Sequence, residues 1–201
     1  DDVEVIDLKT AQMRKATRPL TEVLNRQKAD LLISHLSHAN IALLRAARKA
    51  NHRPKIAVVE HMTMSAYKGE RWRDRLIKPL TKRLYPYADH VISVSNDAAR
   101  DLEQVLSLPN GSVKTIYNPV VSPELEKQAQ ENIEHPLGKF KGKLILGVGR
   151  LSKQKDFSTL IKAFSKLHTL ADTAVHLAIL GTGEQESLLR SLTGRHELQD
   201  S

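Results

Sequence analysis

The stretch that decides the fold is Leu144–Leu167, LILGVGRLSKQKDFSTLIKAFSKL. An apolar run ends at Gly147-Val148-Gly149, Arg150 and Lys155 follow, and from Asp156 onward Phe157, Leu160, Ile161 and Phe164 recur with the period of a helix. A strand that passes into a helix through a basic, glycine-bearing loop is the building unit of a parallel α/β sheet, in which ligands gather beyond the carboxyl ends of the strands. Gly147 and Gly149 would let a ligand come close to the backbone. The helix amides would favour negative charge. The Arg150 guanidinium offers a planar fork for two phosphate oxygens and the Lys155 ammonium a mobile point charge, so the loop can hold a diphosphate. Asp156 is placed to cap the helix. The stretch is neither a P-loop, whose Gly-x4-Gly-Lys-Ser/Thr order is absent, nor a dinucleotide fingerprint, whose third glycine is missing. On spacing alone, a solvated basic loop capping an ordinary helix remains the alternative.

The same alternation extends to both sides. Strands are expected at Val3–Leu8, Asp30–His35, Lys55–His61, His90–Ser95, Val113–Asn118, Lys143–Gly149 and Val175–Gly181. Helices are expected at Arg18–Lys28, His38–Ala50, Glu70–Leu84, Asn96–Leu106, Asp156–Leu170 and Glu184–Leu192, with Asn96 capping its own helix. Several strands are apolar at nearly every position, which predicts helices on both faces of a doubly wound parallel sheet. Residues 119–142 hold three prolines and two glycines around a polar stretch and read as a linker. The expected organisation is therefore a Rossmann-like domain over 1–118, that linker, and the start of a second Rossmann-like domain over 143–201. The second has too few elements for a full core, and the chain opens on Asp, so a segment truncated at both ends is expected, the alternative being a partner that completes the sheet.

Composition narrows the partners. The chain has 201 residues, 40% of them hydrophobic, and 31 Lys and Arg against 23 Asp and Glu, a formal charge of +8. An anionic partner is favoured: nucleic acid, a lipid surface or a phosphorylated small molecule. The absence of cysteine excludes disulfides, thiolate metal sites and cysteine nucleophiles. No apolar run approaches the ~20 residues of a membrane span, and DDVEVIDLKT lacks the order of a signal peptide. The expected location is the cytoplasm, with peripheral contact at the inner membrane face left open.

The segment Gly147–Leu167 resembles the donor-site motif of retaining glycosyltransferases of family 4, which have the two-domain glycosyltransferase B fold. ADHVISVSNDAARDL (Ala88–Leu102) and VKTIYNPV (Val113–Val120) resemble the end of that family's first domain, and LAILGTGEQESLL (Leu177–Leu189) its next strand and helix. The resemblance covers most of Pro54–Leu192. It implies transfer of a sugar from a nucleotide diphosphate sugar to a sugar or lipid-linked acceptor hydroxyl with retention of configuration, in glycan or glycolipid synthesis. It assigns Arg150 and Lys155 to the donor diphosphate and its leaving-group charge, Gly149 to donor binding, and His61 to the cleft beside the donor sugar. Ser95 and Asn118 fall in motif positions that capping or turn formation also explains. No cofactor beyond the donor substrate is implied, and with no Asp-x-Asp pair in the chain no divalent metal is expected.

Two family elements are missing. Residues 1–53 contain no glycine, where relatives have a glycine-rich loop, and no Glu-(seven residues)-Glu element follows in the second domain. This segment alone is expected to be inactive. Two other readings stand beside the enzyme: a basic nucleic-acid-binding module, which the few aromatics and the lack of a nucleic-acid motif disfavour, and a non-catalytic remnant serving as an interaction partner. Arg71, Arg75, Lys78 and Lys82 fall on one helical stripe that could rest on anionic lipid or simply face solvent, with Pro79 interrupting it. His35 and His38 have a His-x-x-His spacing but no third ligand in the sequence around them.

Overall fold

A computed structural model describes residues 3–66, 75–131, 135–139 and 141–198. The chain forms two compact units, Asp1–Val121 and Ser122–Ser201. The first is built on four parallel strands, β1 (Leu31–His35), β2 (Lys55–Glu60), β3 (His90–Ser93) and β4 (Val113–Thr115), hydrogen-bonded in that order. Helices α1 (Thr17–Gln27), α2 (Ser37–Ala47), α3 (Ile77–Leu84) and α4 (Asn96–Leu106) complete it. The second unit has α5 (Pro123–Ala129) and two parallel strands, β5 (Lys143–Val148) and β6 (Val175–Leu180), with α6 (Phe157–Leu170) and α7 (Glu186–Arg195).

In the first sheet Leu32, Ile56, Val58, Val91 and Val113 share one face, and α2, α3 and α4 pack on it through Leu44, Ile77, Leu84, Leu102 and Leu106. Sequential strand order with a constant crossover hand drops these helices on the same side. The second helical layer expected from the apolar runs is therefore not supplied by the described residues. Leu31 and Ile33, on the other face, are 52% and 59% exposed. The two-stranded sheet repeats the pattern: Ile145, Val175, Leu177 and Ile179 face α6 and α7, whereas Leu144, Leu146, Val148 and Leu180 stay exposed.

Other local expectations need correcting. Val3–Leu8 forms no strand; Val3 and Val5 are exposed, and no strand among the described residues pairs with them. The cap of α4 is Ser95, not Asn96: Ser95 has extended backbone and its hydroxyl accepts the Ala98 amide at 3.2 Å, whereas Asn96 is already helical. Residues 119–142 include α5, capped by Ser122, and a 3-10 turn at Pro136–Lys139. Of the basic stripe, Arg71 lies outside the described residues, as does the start of the helix expected over 70–84. Pro79 sits in the first turn of α3, where its missing N–H costs nothing.

Candidate functional site

The loop after β5 is fixed by packing before it is available for chemistry. Phe157 and Leu160 of α6 lie over the end of the strand, and a β-carbon on Gly147 would approach Phe157 Cε1 to 3.0 Å and Leu160 Cδ2 to 3.3 Å. Gly147 is thus required for helix-on-strand contact rather than for access by a ligand. At Gly149 the nearest atoms to such a carbon are Phe157 Cζ at 3.5 Å and Lys155 Cδ and Cε at 3.7 Å. The aliphatic stem of Lys155 therefore folds back over Gly149, and Arg150 is the next residue along. Both basic side chains are exposed.

A second glycine pair holds this loop. Gly149 N–H donates to Leu180 O at 3.0 Å, Leu151 N–H to Thr182 O at 2.9 Å, and Gln185 N–H to Leu151 O at 3.0 Å. That lacing brings the two loops so close that a β-carbon on Gly181 would stand 1.9 Å from Gly149 O, and one on Gly183 2.4 Å from Leu151 O. Neither Gly181 nor Gly183 is among the residues to which the motifs assign a role. The signal was there: a second Gly-x-Gly at the end of the adjacent parallel strand, where two loops must cross side by side.

Charge is kept apart in the same loop. Asp156, in the left-handed region at φ 50°, accepts the Thr159 amide on Oδ1 at 3.4 Å and the Thr159 hydroxyl on Oδ2 at 2.8 Å. Its carboxylate caps α6, as expected. Among the described residues no ion pair is formed by Arg150 or Lys155. The loop thus presents two cations with no carboxylate set against them, at the carboxyl end of a parallel strand and before a helix N-terminus.

In the first unit His61 follows β2 directly, at the carboxyl edge of that sheet. His35, the last residue of β1, places Nδ1 2.9 Å from His61 Nε2, and the rings tilt with centroids 5.1 Å apart. The first histidine of the His-x-x-His pair is thus committed to His61. Beneath them lies a buried polar network. Glu60, 2% exposed, accepts hydrogen bonds from the Tyr85 hydroxyl, from Ser37 Oγ at 3.0 Å and from Asn40 Nδ2 at 3.3 Å. Asn40 Nδ2 also donates to Tyr85 Oη at 2.9 Å and Val59 O at 3.1 Å. Burial, then the Glu60 charge and hydrogen bond, push the Tyr85 phenol well above its usual range, with the Asn40 bond opposing. Ser95 is spent on its helix, and Asn118 lies in an exposed coil after β4.

A hollow of the first unit lies elsewhere. About 540 Å³ is lined by Arg14, Thr17, Arg45, Arg48 and Lys49. Arg45, Arg48 and Lys49 stand at the C-terminal end of α2, which runs back toward the amino ends of the strands, so this hollow is at the pole opposite His61. Among the described residues no helix is long and apolar enough to cross a membrane.

Comparison with known proteins agrees with this architecture. The family model described as Glycosyltransferase Family 4 matches residues 5–122, and that described as Glycosyl transferases group 1 matches residues 129–201. A Campylobacter jejuni protein is 30% identical over 161 residues, 80% of this chain and 41% of that protein. It is named N-acetylgalactosamine-N,N'-diacetylbacillosaminyl-diphospho-undecaprenol 4-alpha-N-acetylgalactosaminyltransferase. The chain thus spans about two fifths of that relative. Among solved structures, the lipopolysaccharide outer core galactosyltransferase WaaB superposes with a TM-score of 0.61 at 16% identity, covering 93% of this chain and 46% of WaaB. Staphylococcus aureus TarM, solved with fondaparinux, alpha-GlcNAc-glycerol and UDP, gives 0.61 at 14% identity over 92% of this chain and 35% of TarM. With two parallel α/β units of the glycosyltransferase B type and a family match over more than half its length, the chain belongs to glycosyltransferase family 4.

Proposed function

We propose that this chain carries the donor-diphosphate loop of a glycosyltransferase that moves a sugar from a nucleotide diphosphate sugar to an acceptor hydroxyl with retention of configuration. The observation that carries the reading is the loop after β5: Arg150 directly follows Gly149, the Lys155 stem folds over Gly149, and the neighbouring acid in sequence, Asp156, is turned into its helix cap. As the bond from the anomeric carbon to the phosphate oxygen breaks, negative charge grows on the diphosphate. Cations already in place stabilise that change more than they stabilise the bound ground state. The acceptor oxygen forms its bond to the anomeric carbon on the face the diphosphate leaves, and its proton passes to the departing phosphate oxygen. His61 is assigned a hydrogen bond to the donor sugar. The Campylobacter relative named for a diphospho-undecaprenol substrate supports a lipid-linked acceptor, and the UDP in TarM supports a uridine diphosphate donor. The proposed setting is glycan or glycolipid synthesis in the cytoplasm, in peripheral contact with the membrane, without a divalent metal and with no nucleic acid as partner.

The test is a titration of the chain with uridine and guanosine diphosphates. Arg150→Ala and Lys155→Ala should each weaken binding about tenfold or more, the loss of one charge-assisted hydrogen bond of roughly 1.5–3 kcal/mol. Equal affinity in wild type and both variants refutes the assignment. Single-stranded oligonucleotide at two salt concentrations is the control, since nucleic-acid binding weakens steeply with salt.

A further inference from the structure

His35 and His61 are exposed and half-buried, respectively, and both belong to the face of the first sheet opposite α2, α3 and α4. Strand alternation puts Leu31, Ile33 and His35 on that face, and Ala57 and Val59 of β2 lead to His61 on the same side. Glu60, the acid next to His61 in sequence, points the other way into its network with Ser37, Asn40 and Tyr85. It therefore does not compete for the imidazole. The contact that orients His61 is the 2.9 Å approach of its Nε2 to Nδ1 of His35.

Two ring nitrogens at that separation need one proton between them: two lone pairs or two N–H groups would repel. The tautomers of the two rings are consequently linked. If His61 donates from Nε2, His35 accepts on Nδ1 and carries its own proton on Nε2. If His35 donates from Nδ1, both rings hold their proton on Nδ1. The first arrangement leaves each neutral ring in the tautomer that imidazole side chains favour in water, and the second leaves neither. The hydrogen bond made by one nitrogen fixes what the other can offer.

We propose that His35 is a positioning residue that holds neutral His61 with its proton on Nε2, leaving His61 Nδ1 a bare acceptor for a hydroxyl of the donor sugar. The sugar contact rests on the function proposed above; the tautomer assignment does not. His61 Nδ1 makes no hydrogen bond among the described residues, which suits a nitrogen kept for a ligand. A sugar hydroxyl can then donate to it, which a ring protonated on Nδ1 would forbid.

Side-chain proton–nitrogen correlation NMR on the chain above the histidine titration range reads this directly. In the wild type, His61 should show a protonated Nε2 and a pyridine-like Nδ1. In His35→Leu the ratio of the two tautomers should fall severalfold, because the bias lost is the preference of the His35 ring itself for the Nε2–H form; the inter-ring hydrogen bond is present in both paired arrangements. His35→Asp, whose carboxylate can only accept, should restore the wild-type form; a merely structural residue would not show this rescue. His35 is exposed at a strand end, so backbone spectra should match elsewhere. Should His35→Leu nevertheless fail to fold, His61→Leu gives the reciprocal reading, with His35 losing its bias. A wild-type His61 protonated on Nδ1, or an unchanged ratio in His35→Leu, overturns the proposal. Because neither readout involves Arg150, Lys155 or nucleotide, loss of the donor assignment would leave this result standing, and the reverse.

Discussion

Replacing Gly181 with alanine tests whether the Arg150 loop is held by backbone contact with its neighbour. The new β-carbon would lie 1.9 Å from Gly149 O and 2.9 Å from Gly149 C. Carbon and carbonyl oxygen settle at roughly 3.3 Å, so one loop must retreat by more than about 1 Å. Neither can do so while Gly149, Leu151 and Gln185 keep their interloop hydrogen bonds of 3.0, 2.9 and 3.0 Å. Losing two of them at a net ~0.5–1.5 kcal/mol each, with overpacking strain of ~1–3 kcal/mol, gives a local destabilisation of about 2–6 kcal/mol. Gly149→Ala is the matched control. Its β-carbon would sit 3.5–3.7 Å from Phe157 and Lys155, ordinary contact, at a cost of about 0.5 kcal/mol or less. Amide hydrogen exchange at Leu151 and Gln185 reports the opening in place. Gly181→Ala should accelerate both by about 30-fold or more, since each 1.4 kcal/mol is a factor of ten. Exchange no faster than in Gly149→Ala would show that the loops are not tied as described.

Two further outcomes follow from groups outside that contact. Because burial and the Glu60 charge raise the Tyr85 phenol above its unfolded value near 10, the unfolded chain releases this proton first as pH rises. The Tyr85 contribution to stability is thus intact below pH ~10 and lost above it, so urea midpoints should fall through that range and Tyr85→Phe should flatten the fall. Asp156→Ala removes the α6 cap and should cost roughly 0.5–2 kcal/mol in denaturant unfolding of the second unit, while Asp156→Asn, which still caps, should cost little.

What could be read from the sequence was what periodicity and local caps encode. The six strands from Leu31 onward and the helix starting at Phe157 under Asp156 follow from alternation, β-branching and an acid before an apolar stripe. Val3–Leu8 has the same alternation and is not a strand, because pairing requires a neighbour that local pattern does not specify. The Ser95 cap was missed by one residue, since Ser95 and Asn96 are both good caps and only backbone geometry separates them. Pairwise contacts were out of reach: His35 and His61 are distant in sequence and meet through the register His35 opposite Val59. Gly147 could be found but not interpreted. The same residue type serves close ligand approach and close helix packing, and only the position of Phe157 decides between them.

Where charge is left over, not how much of it there is, sets what this surface can select. A net +8 spread over a surface attracts any polyanion and selects none. In the second unit Asp156 is held by Thr159, and Glu186 by Arg190 at 2.8 and 3.0 Å along α7. Each acid thereby stabilises the first turn of its own helix. Because Asp156 is held by Thr159 in the cap of α6, it is not set against Lys155, and both cations stay open to the proposed diphosphate. Had Asp156 paired with Lys155 instead, α6 would lose its cap and the loop one of its two cations. The left-handed backbone of Asp156, costly for a residue with a β-carbon, marks the choice the fold has made.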